Sequence, residues 1–272
     1  MIDNNWAADR DDFPVELGLM PRQQVARLLQ FDPVVIIPVG AVEQHGEHLP
    51  LDTDSFLVTQ IAAAAAAQAH QQVATILVPT VSVGYSVHHM HYSGTLTLSS
   101  GTLIALLREM VEALARHGFR RVLILNGHGG NSAALLVAAS ELRSGGVVPV
   151  VATADYWNLI AGVIAQERES GIGGMGHAGE FETSLMLHLR PAAVDRERMV
   201  RTMHTPRVPD DSLDLVQKAP FSIPWVVHRD TSNGVIGDPL LASAAKGKRF
   251  FEAAVERAAQ LTCDLHQMKI GE

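Results

Sequence analysis

The sequence predicts an α/β protein of three layers, in which helices cover both faces of a mostly parallel sheet. Strand patterns alternate with helical patterns along the chain, an order typical of parallel strands joined by right-handed helical crossovers. The strand patterns are short apolar runs such as Val34–Val39, whose β-branched composition indicates burial on both faces. The 272 residues are 47% hydrophobic and can bury a large core, so we expect one domain over residues 1–272.

The predicted elements follow in order from these local patterns. The predicted strands cover residues 34–39, 74–83, 121–125 and 147–152. The predicted helices cover residues 22–30, 55–70, 102–117, 156–170, 180–189 and 240–268, with a further helix that Asn131 or Ser132 caps and that runs to residue 142. Pro79 interrupts or bends the second strand, and Gly118 is a typical C-terminal stop for the helix before it. Residues 192–239 lack periodicity and contain several prolines, so we expect an ordered excursion over the surface or at a subunit contact.

Composition narrows the class of partner and the compartment. The formal net charge is -8 and no long run of Lys or Arg occurs, which argues against a nucleic acid or an anionic membrane and favours a small-molecule substrate. The most apolar helical window, residues 61–69, is far shorter than the roughly 20 residues that span a bilayer. The polar, acidic start lacks the layout of a secretion signal, and the single Cys263 permits no intrachain disulfide. We therefore expect a cytoplasmic protein.

Side chains that can bind a metal are concentrated directly after the first strand. Gly40 ends that strand, and the next fourteen or so residues include Glu43, His45, Glu47, His48, Asp52 and Asp54. In extended backbone, residues two apart point the same way, so Glu43 and His45 can reach one ion. Asp54 comes just before a predicted helix, near the positive end of the helix dipole. A solvated polar loop is the simpler interpretation of a lone Glu-x-His pair, but this density at a strand end favours a metal site.

Two later segments place similar side chains where a ligand site is expected. His128 follows the third strand within N-G-H-G-G-N, and ligands in open parallel sheets bind beyond the carboxyl ends of the strands. The segment H-A-G-E-F-E-T-S, residues 177–184, begins a helix. Glu180 and Glu182 there have an alternative role, because acidic residues in a first turn favour the helix dipole. An apolar run follows Glu182, however, so this turn is expected to face the same crevice.

Four motifs in this order resemble the motif series of the creatininase family of metal-dependent amidohydrolases. They are E-Q-H-G-E-H-L-P-L-D-T-D, S-G-T-L-T-L, N-G-H-G-G-N and H-A-G-E-F-E-T-S. The resemblance runs from about residue 34 to about residue 189. It implies a creatininase-like fold and a site for two divalent metal ions per chain.

The resemblance also implies which residues bind these ions. The implied ligands are Glu43 and His128 for one ion, His45 for the other, and Asp54 as a bridge between the two. Creatininase uses a further glutamate two places after the histidine of the third motif, where this chain has Gly130. Glu182 is therefore the candidate that completes the coordination of the second ion, with Glu180 behind it.

Further roles in catalysis and substrate binding follow from the same resemblance. His177 matches a histidine implicated in proton transfer, so we expect His177 and Glu182 to be catalytic. Ser86 and His89 match positions near the substrate. The aromatic and acidic residues that creatininase places against its substrate fall on Gly129, Gly173 and Gly174. Gly129 is thus an expected substrate-binding position, and a pocket wider or differently lined than that of creatininase follows.

Such ligands support a specific chemistry. Two cations about 3.5 to 4 Å apart can hold a bridging hydroxide that attacks an amide carbon, and a histidine near its ordinary pKa can carry the proton to the leaving nitrogen. Nitrogen and oxygen donors without a thiolate are compatible with zinc, manganese or iron. We expect hydrolysis of a C–N bond in a small cyclic amide or a formamide.

Other activities remain open at this point. Relatives also act on a peptide-derived cofactor precursor or a cyclic keto-sugar, and kinship of fold does not separate these substrates. A non-catalytic metal-containing binding protein is the alternative from another class. Oligomers are common among the relatives and creatininase is a hexamer, so the resemblance implies a homo-oligomer, with a hexamer as one form.

Overall fold

The computed structural model describes residues 6–217, 219–221 and 223–270. A four-stranded parallel sheet lies at its centre. Its strands are β1 (Val34–Val39), β2 (Thr75–Leu77), β3 (Arg121–Asn126) and β4 (Val150–Asp155). They lie in the order β2-β1-β3-β4. The carboxyl ends of β1 and β3 are therefore neighbours, since Val39 pairs with Asn126.

Helices cover both faces of this sheet. The helices are α1 (Trp6–Asp9), α2 (Arg22–Leu28), α3 (Thr53–His70), α4 (Ser100–Arg116), α5 (Ser132–Ser144), α6 (Tyr156–Leu159), α7 (Ala161–Glu167), α8 (Glu180–Leu189), α9 (Val227–Asp230) and α10 (Ala244–Gln267). Two short strands, β5 (Met175–His177) and β6 (Ile236–Gly237), form a separate antiparallel pair. Within the described part of the chain, no helix combines the length and the apolar character needed to cross a bilayer.

Alternate residues of the central strands enter opposite cores. Val34 and Ile36 of β1 lie in the core that includes side chains of α3, α8 and α10. Val35 and Ile37 lie in the core that includes side chains of α4 and α5. Every residue of β1 and β3 is buried, as expected for strands covered on both faces. The predicted three-layer α/β fold with a mostly parallel sheet is confirmed.

Two glycines bring helix α3 close to the ends of β1 and β3. A Cβ atom at Gly40 would lie 2.5 Å from Ser55 Cα, and a Cβ atom at Gly127 would lie 2.6 Å from Val58 Cβ. Glycine is needed at both positions because a side chain would force the helix away. This close approach places the first turn of α3 over the end of the sheet, where the polar loops begin.

The structure differs from the sequence prediction in several elements. The predicted strand 74–83 forms a continuous ladder only over residues 75–77 and is interrupted at Pro79, which has no N–H group to donate, and Val81 then pairs with Val39 of β1 again. The predicted helix 156–170 breaks at Ile160, whose φ of -120° and ψ of 21° are not helical. The last helix begins at Ala244 rather than residue 240, because the Ser243 side chain caps it by accepting a hydrogen bond from the backbone N–H of Lys246.

The two strands β5 and β6 were not predicted. They lie in the glycine-rich segment before α8 and in the region 192–239, where period-2 alternation is absent. Their pairing ties this aperiodic region to the segment that carries His177. The aperiodic region is therefore an ordered part of the wall around the site described next.

Candidate metal centre

Three loops at the carboxyl ends of β1 and β3 and at the start of α3 build a buried polar centre. Glu43 and His45 follow β1 and are completely buried. Ser55 holds their loop in place by donating its hydroxyl to the carbonyl oxygens of Ala41 and Ser82, each at 2.8 Å. The preceding residue, Asp54, is thereby fixed beneath the loop.

The first group of potential ligands contains Glu43, Asp54 and His128, whose donor atoms lie within 4.8 Å of one another. His128 Nε2 is 3.3 Å from Glu43 Oε2, and His128 Nδ1 is 3.1 Å from Asp54 Oδ2. All three residues are buried. A cation between these side chains would have one nitrogen and two carboxylate donors.

The second group contains His45, Asp54 and Glu182, again with donor atoms within 4.8 Å of one another. His45 Nε2 lies 3.0 Å from Asp54 Oδ1 and 4.0 Å from Glu182 Oε1. The other oxygen of Glu182 accepts a hydrogen bond of 2.6 Å from the backbone N–H of Ala178, which orients the carboxylate. Asp54 is the member that both groups share, with a different oxygen close to the histidine of each.

Unpaired carboxylate oxygens show that divalent cations fit this cluster. Both oxygens of Glu43 and Oδ2 of Asp54 are buried and form no hydrogen bond with any described residue. Buried carboxylate oxygens without partners are costly, and a bound cation satisfies them. Carboxylate and imidazole donors without a thiolate match zinc, manganese and iron.

The electrostatics of the cluster also point to cation binding. Burial raises the pKa of both Glu43 and Glu182 to about 7. Burial opposes the charge on His45, but the neighbouring Asp54 outweighs it and raises the pKa of that imidazole to about 10. The protein without metal therefore holds protons on this cluster near neutral pH. Metal binding must release those protons, so affinity should rise with pH.

The structure places the other predicted residues around the same centre. His177 Nδ1 lies 3.7 Å from Glu43 Oε1, and His89 Nε2 lies 3.1 Å from that same oxygen. Ser86 Oγ is 3.4 Å from His128 Nε2. Burial lowers the pKa of both His177 and His89 well below the ordinary value of a histidine. Both imidazoles are thus neutral at pH 7.

Glu180 occupies a different environment from Glu182. Its carboxylate accepts hydrogen bonds from the Lys246 ammonium at 2.5 Å and from the backbone N–H groups of Glu169 and Ser170. These partners saturate the carboxylate. Of the two glutamates in this turn, only Glu182 belongs to a group of potential ligands.

The structure gives a steric reason for a glycine at position 130. A Cβ atom there would lie 2.4 Å from His128 Nε2 and 2.4 Å from the carbonyl oxygen of Tyr85. A glutamate at this position cannot be accommodated beside His128 without a rearrangement. The carboxylate of Glu182 is the one that stands near His45.

A cavity of about 380 Å³ opens above the centre. Glu43, His128 and Glu182 contribute to its floor, and Gly129, with no atom within 4 Å of its would-be Cβ, lies in its lining. The wall contains two tryptophans that sequence reasoning missed, Trp157 and Trp225.

Trp225 comes from the aperiodic region 192–239. Its ring centroid lies 5.0 Å from that of His88 and 5.4 Å from that of His89. No periodicity marked this residue in the sequence; the only available signal was the scarcity of tryptophan, of which the chain has three. An aromatic wall thus stands beside the histidine-rich loop.

This fold and this buried carboxylate and imidazole cluster are those expected of a metal-dependent hydrolase. A family profile described as creatininase, creatinine amidohydrolase, matches residues 19–262, so the chain belongs to the creatininase family.

Relatives and solved structures agree with this assignment. The mycofactocin precursor peptide peptidase of Mycobacterium tuberculosis is 33% identical over 257 residues, which cover 89% of this chain and 88% of the relative. The creatinine amidohydrolase of Pseudomonas putida is 31% identical over 250 residues, covering 86% and 90%. A structure described as creatininase Mn superposes with a TM-score of 0.77 at 30% identity, covering 94% of this chain and all of the other. A mutant creatininase of Zn-Zn type gives the same TM-score, identity and coverage.

Proposed function

We propose that this chain is a dinuclear metal hydrolase that cleaves a C–N bond in a small amide. The observation that carries the proposal is the position of Asp54 between two groups of ligands. One of its carboxylate oxygens lies 3.1 Å from His128 Nδ1 and the other lies 3.0 Å from His45 Nε2. A carboxylate shared in this way is the feature expected of a bridge between two cations.

Each residue of the cluster has a proposed role in catalysis. Glu43 and His128 would hold one cation and His45 and Glu182 the other, and both would share Asp54. Two divalent cations bound there would supply a water of lowered pKa and polarise the substrate carbonyl. His177 Nδ1 accepts a proton at the site and returns it to the leaving nitrogen. Burial of the cluster excludes bulk water, which strengthens each of these electrostatic interactions.

The pocket favours an amide other than creatinine. A Cβ atom at Gly174 would lie 2.2 Å from Ser170 Cβ, so a side chain at this position is not accommodated without a rearrangement. Trp225 and Trp157 line the cavity instead. The volume of about 380 Å³ is at the small end of the range of ligand pockets, which suits a cyclic amide or a formamide.

A peptide-derived amide is the second candidate substrate. It is supported by the 33% identity to a precursor peptide peptidase over most of both chains. The aromatic wall formed by Trp225 is also suited to a larger, partly apolar group beside the scissile bond.

The test combines metal analysis with a hydrolase screen. Protein loaded with zinc or manganese is offered lactams, cyclic ureas, formamides, short C-terminal peptides and cyclic keto-sugars, and we expect turnover of one of the amide classes. Asp54→Ala should lose both metals and the turnover together. Asp52→Ala is the matched control, since that carboxylate pairs at 2.9 Å with Arg190 outside the cluster and its loss should leave both metals bound.

Two results would count against the proposal. Two bound metals in Asp54→Ala would remove the bridging role. Full metal loading without hydrolysis of any class in the screen would favour a metal-containing binding protein.

A further inference from the structure

The side chain of Gln44 lies between His89 and His177. In extended backbone, this residue points away from its neighbours Glu43 and His45. Its side chain is buried. The amide oxygen accepts a hydrogen bond of 2.9 Å from the backbone N–H of Gly46, and the amide nitrogen donates one of 2.9 Å to the carbonyl of Gly234. Both backbone partners have fixed roles, so the orientation of the amide is determined.

This orientation defines which nitrogen of His89 carries its proton. Gln44 Nε2 lies 2.9 Å from His89 Nδ1 and has only hydrogens to offer. His89 Nδ1 is therefore the acceptor, and the proton of the neutral ring is on Nε2. That N–H group lies 3.1 Å from Glu43 Oε1, at the edge of the metal centre.

His177 is fixed by the backbone of the same residue. Its Nε2 is 2.7 Å from the carbonyl oxygen of Gln44, which can only accept, so the ring donates from Nε2. The same nitrogen lies 3.1 Å from Gln44 Nε2, but the two hydrogens of that amide go to the shorter contacts with Gly234 and His89. The bare Nδ1 then faces Glu43 Oε1 at 3.7 Å. The rings of His177 and His89 are neighbours, with centroids 4.5 Å apart.

We propose that Gln44 is a positioning residue that makes His89 Nε2 a hydrogen-bond donor beside the acceptor Nδ1 of His177. His89 Nε2 is buried beside Glu43 Oε1, whereas His177 lines the cavity, so its bare Nδ1 is the acceptor that a substrate meets. The two tautomers do not depend on the proposed hydrolase activity, although their use in catalysis rests on it.

The packing around Gln44 depends on the glycine at position 234. Gly234 has φ of +82°, and a Cβ atom there would lie 1.9 Å from Gln44 Oε1. Because residue 234 is glycine, the Gln44 amide can lie where it contacts both the loop after β1 and His89.

The test is the tautomeric state of the two histidines in zinc-loaded protein labelled with 15N-histidine. Long-range 1H–15N spectra at neutral pH identify the protonated nitrogen of each ring, and His89→Asn and His177→Asn assign the signals. We expect Nε2–H for both rings. In Gln44→Glu the carboxylate can only accept, so His89 Nδ1 should carry a proton, while His177 keeps Nε2–H because its partner is a backbone carbonyl.

Gln72→Glu adds the same charge at an exposed position and should change neither ring. A proton on His89 Nδ1 in the wild type, or no change of His89 in Gln44→Glu, would overturn the inference. If Gln44→Glu does not fold, Gln44→Met serves as the second variant and should leave His89 as a mixture of tautomers. Zinc content measured on the same sample separates the two proposals. If the protein binds two zinc ions but the histidines have other tautomers, only this inference is contradicted. If the histidines have the expected tautomers but the protein binds no zinc, only the proposed metal site is contradicted.

Discussion

Gly40→Ala is expected to displace Asp54 from the metal centre by moving the first turn of α3 away from the end of β1. The added Cβ atom would lie 2.5 Å from Ser55 Cα and 2.8 Å from Ser55 N. Ordinary van der Waals contact begins near 3.4 Å, so the first turn of α3 has to move by about 1 Å. Asp54 belongs to that turn and moves with it.

The displacement is large compared with the tolerance of a metal site. Distances from ligand to metal hold within about 0.2 Å, so a shift of about 1 Å removes Asp54 from both groups of ligands. Overpacking itself costs roughly 1 to 3 kcal/mol of unfolding free energy. The stabilisation by metal, about 4 kcal/mol when free metal is a thousandfold above Kd, should be lost in addition.

The assay is thermal unfolding with and without added zinc, together with elemental analysis. Wild-type protein should gain stability on zinc addition, and Gly40→Ala should gain little and retain less than one metal per chain. Gly162→Ala is the control, because its Cβ meets nothing within 4 Å at an exposed position of α7. Two tightly bound metals and an unchanged Tm in Gly40→Ala would refute this view of the helix contact.

Three further predictions concern other parts of the molecule. Trp225→Ala removes the aromatic wall, and for the substrate found in the screen KM should rise about 2- to 10-fold, equivalent to roughly 0.5 to 1.5 kcal/mol, with a smaller change in kcat. Gly130→Ala should lower metal content, measured by elemental analysis, because the methyl group collides with His128 Nε2. Lys246→Met strands the buried Glu180 carboxylate and should cost about 3 to 5 kcal/mol in denaturant unfolding. Burial alone would raise the pKa of Glu180, but Lys246, with hydrogen bonds from Ser170 and Glu169, lowers it below its ordinary 4.5. The wild type should therefore lose stability as the pH falls below that value, and the variant should show less of this loss.

The sequence predicted the sheet where patterning and burial agree. The wholly apolar runs at residues 34–39 and 121–125 correspond closely to β1 and β3. The strand over 74–83 is interrupted at Pro79, as predicted, and apolar composition does not reveal that beyond it only Val81 pairs with β1 again, through Val39. The pair of strands β5 and β6 escaped prediction, since two or three residues carry no periodicity.

Residues of the site were predictable where they lie near strand ends. Glu43, His45, Asp54 and His128 share the feature that a strand end or helix start fixes their direction, and the structure brings them into one cluster. Their roles at a metal remain predictions. Trp225 could not be placed because it reaches the cavity from an aperiodic segment far along the chain. The hydrogen bonds of Gln44 depend on Gly234, and a contact between residues so distant in sequence has no local signal.

The most direct measurement is a crystal structure of the zinc-loaded protein with anomalous scattering at the zinc edge. The account predicts two ions, one between Glu43 and His128 and the other between His45 and Glu182, with one oxygen of Asp54 on each. A single ion, or ions that leave Asp54 uncoordinated, would contradict it.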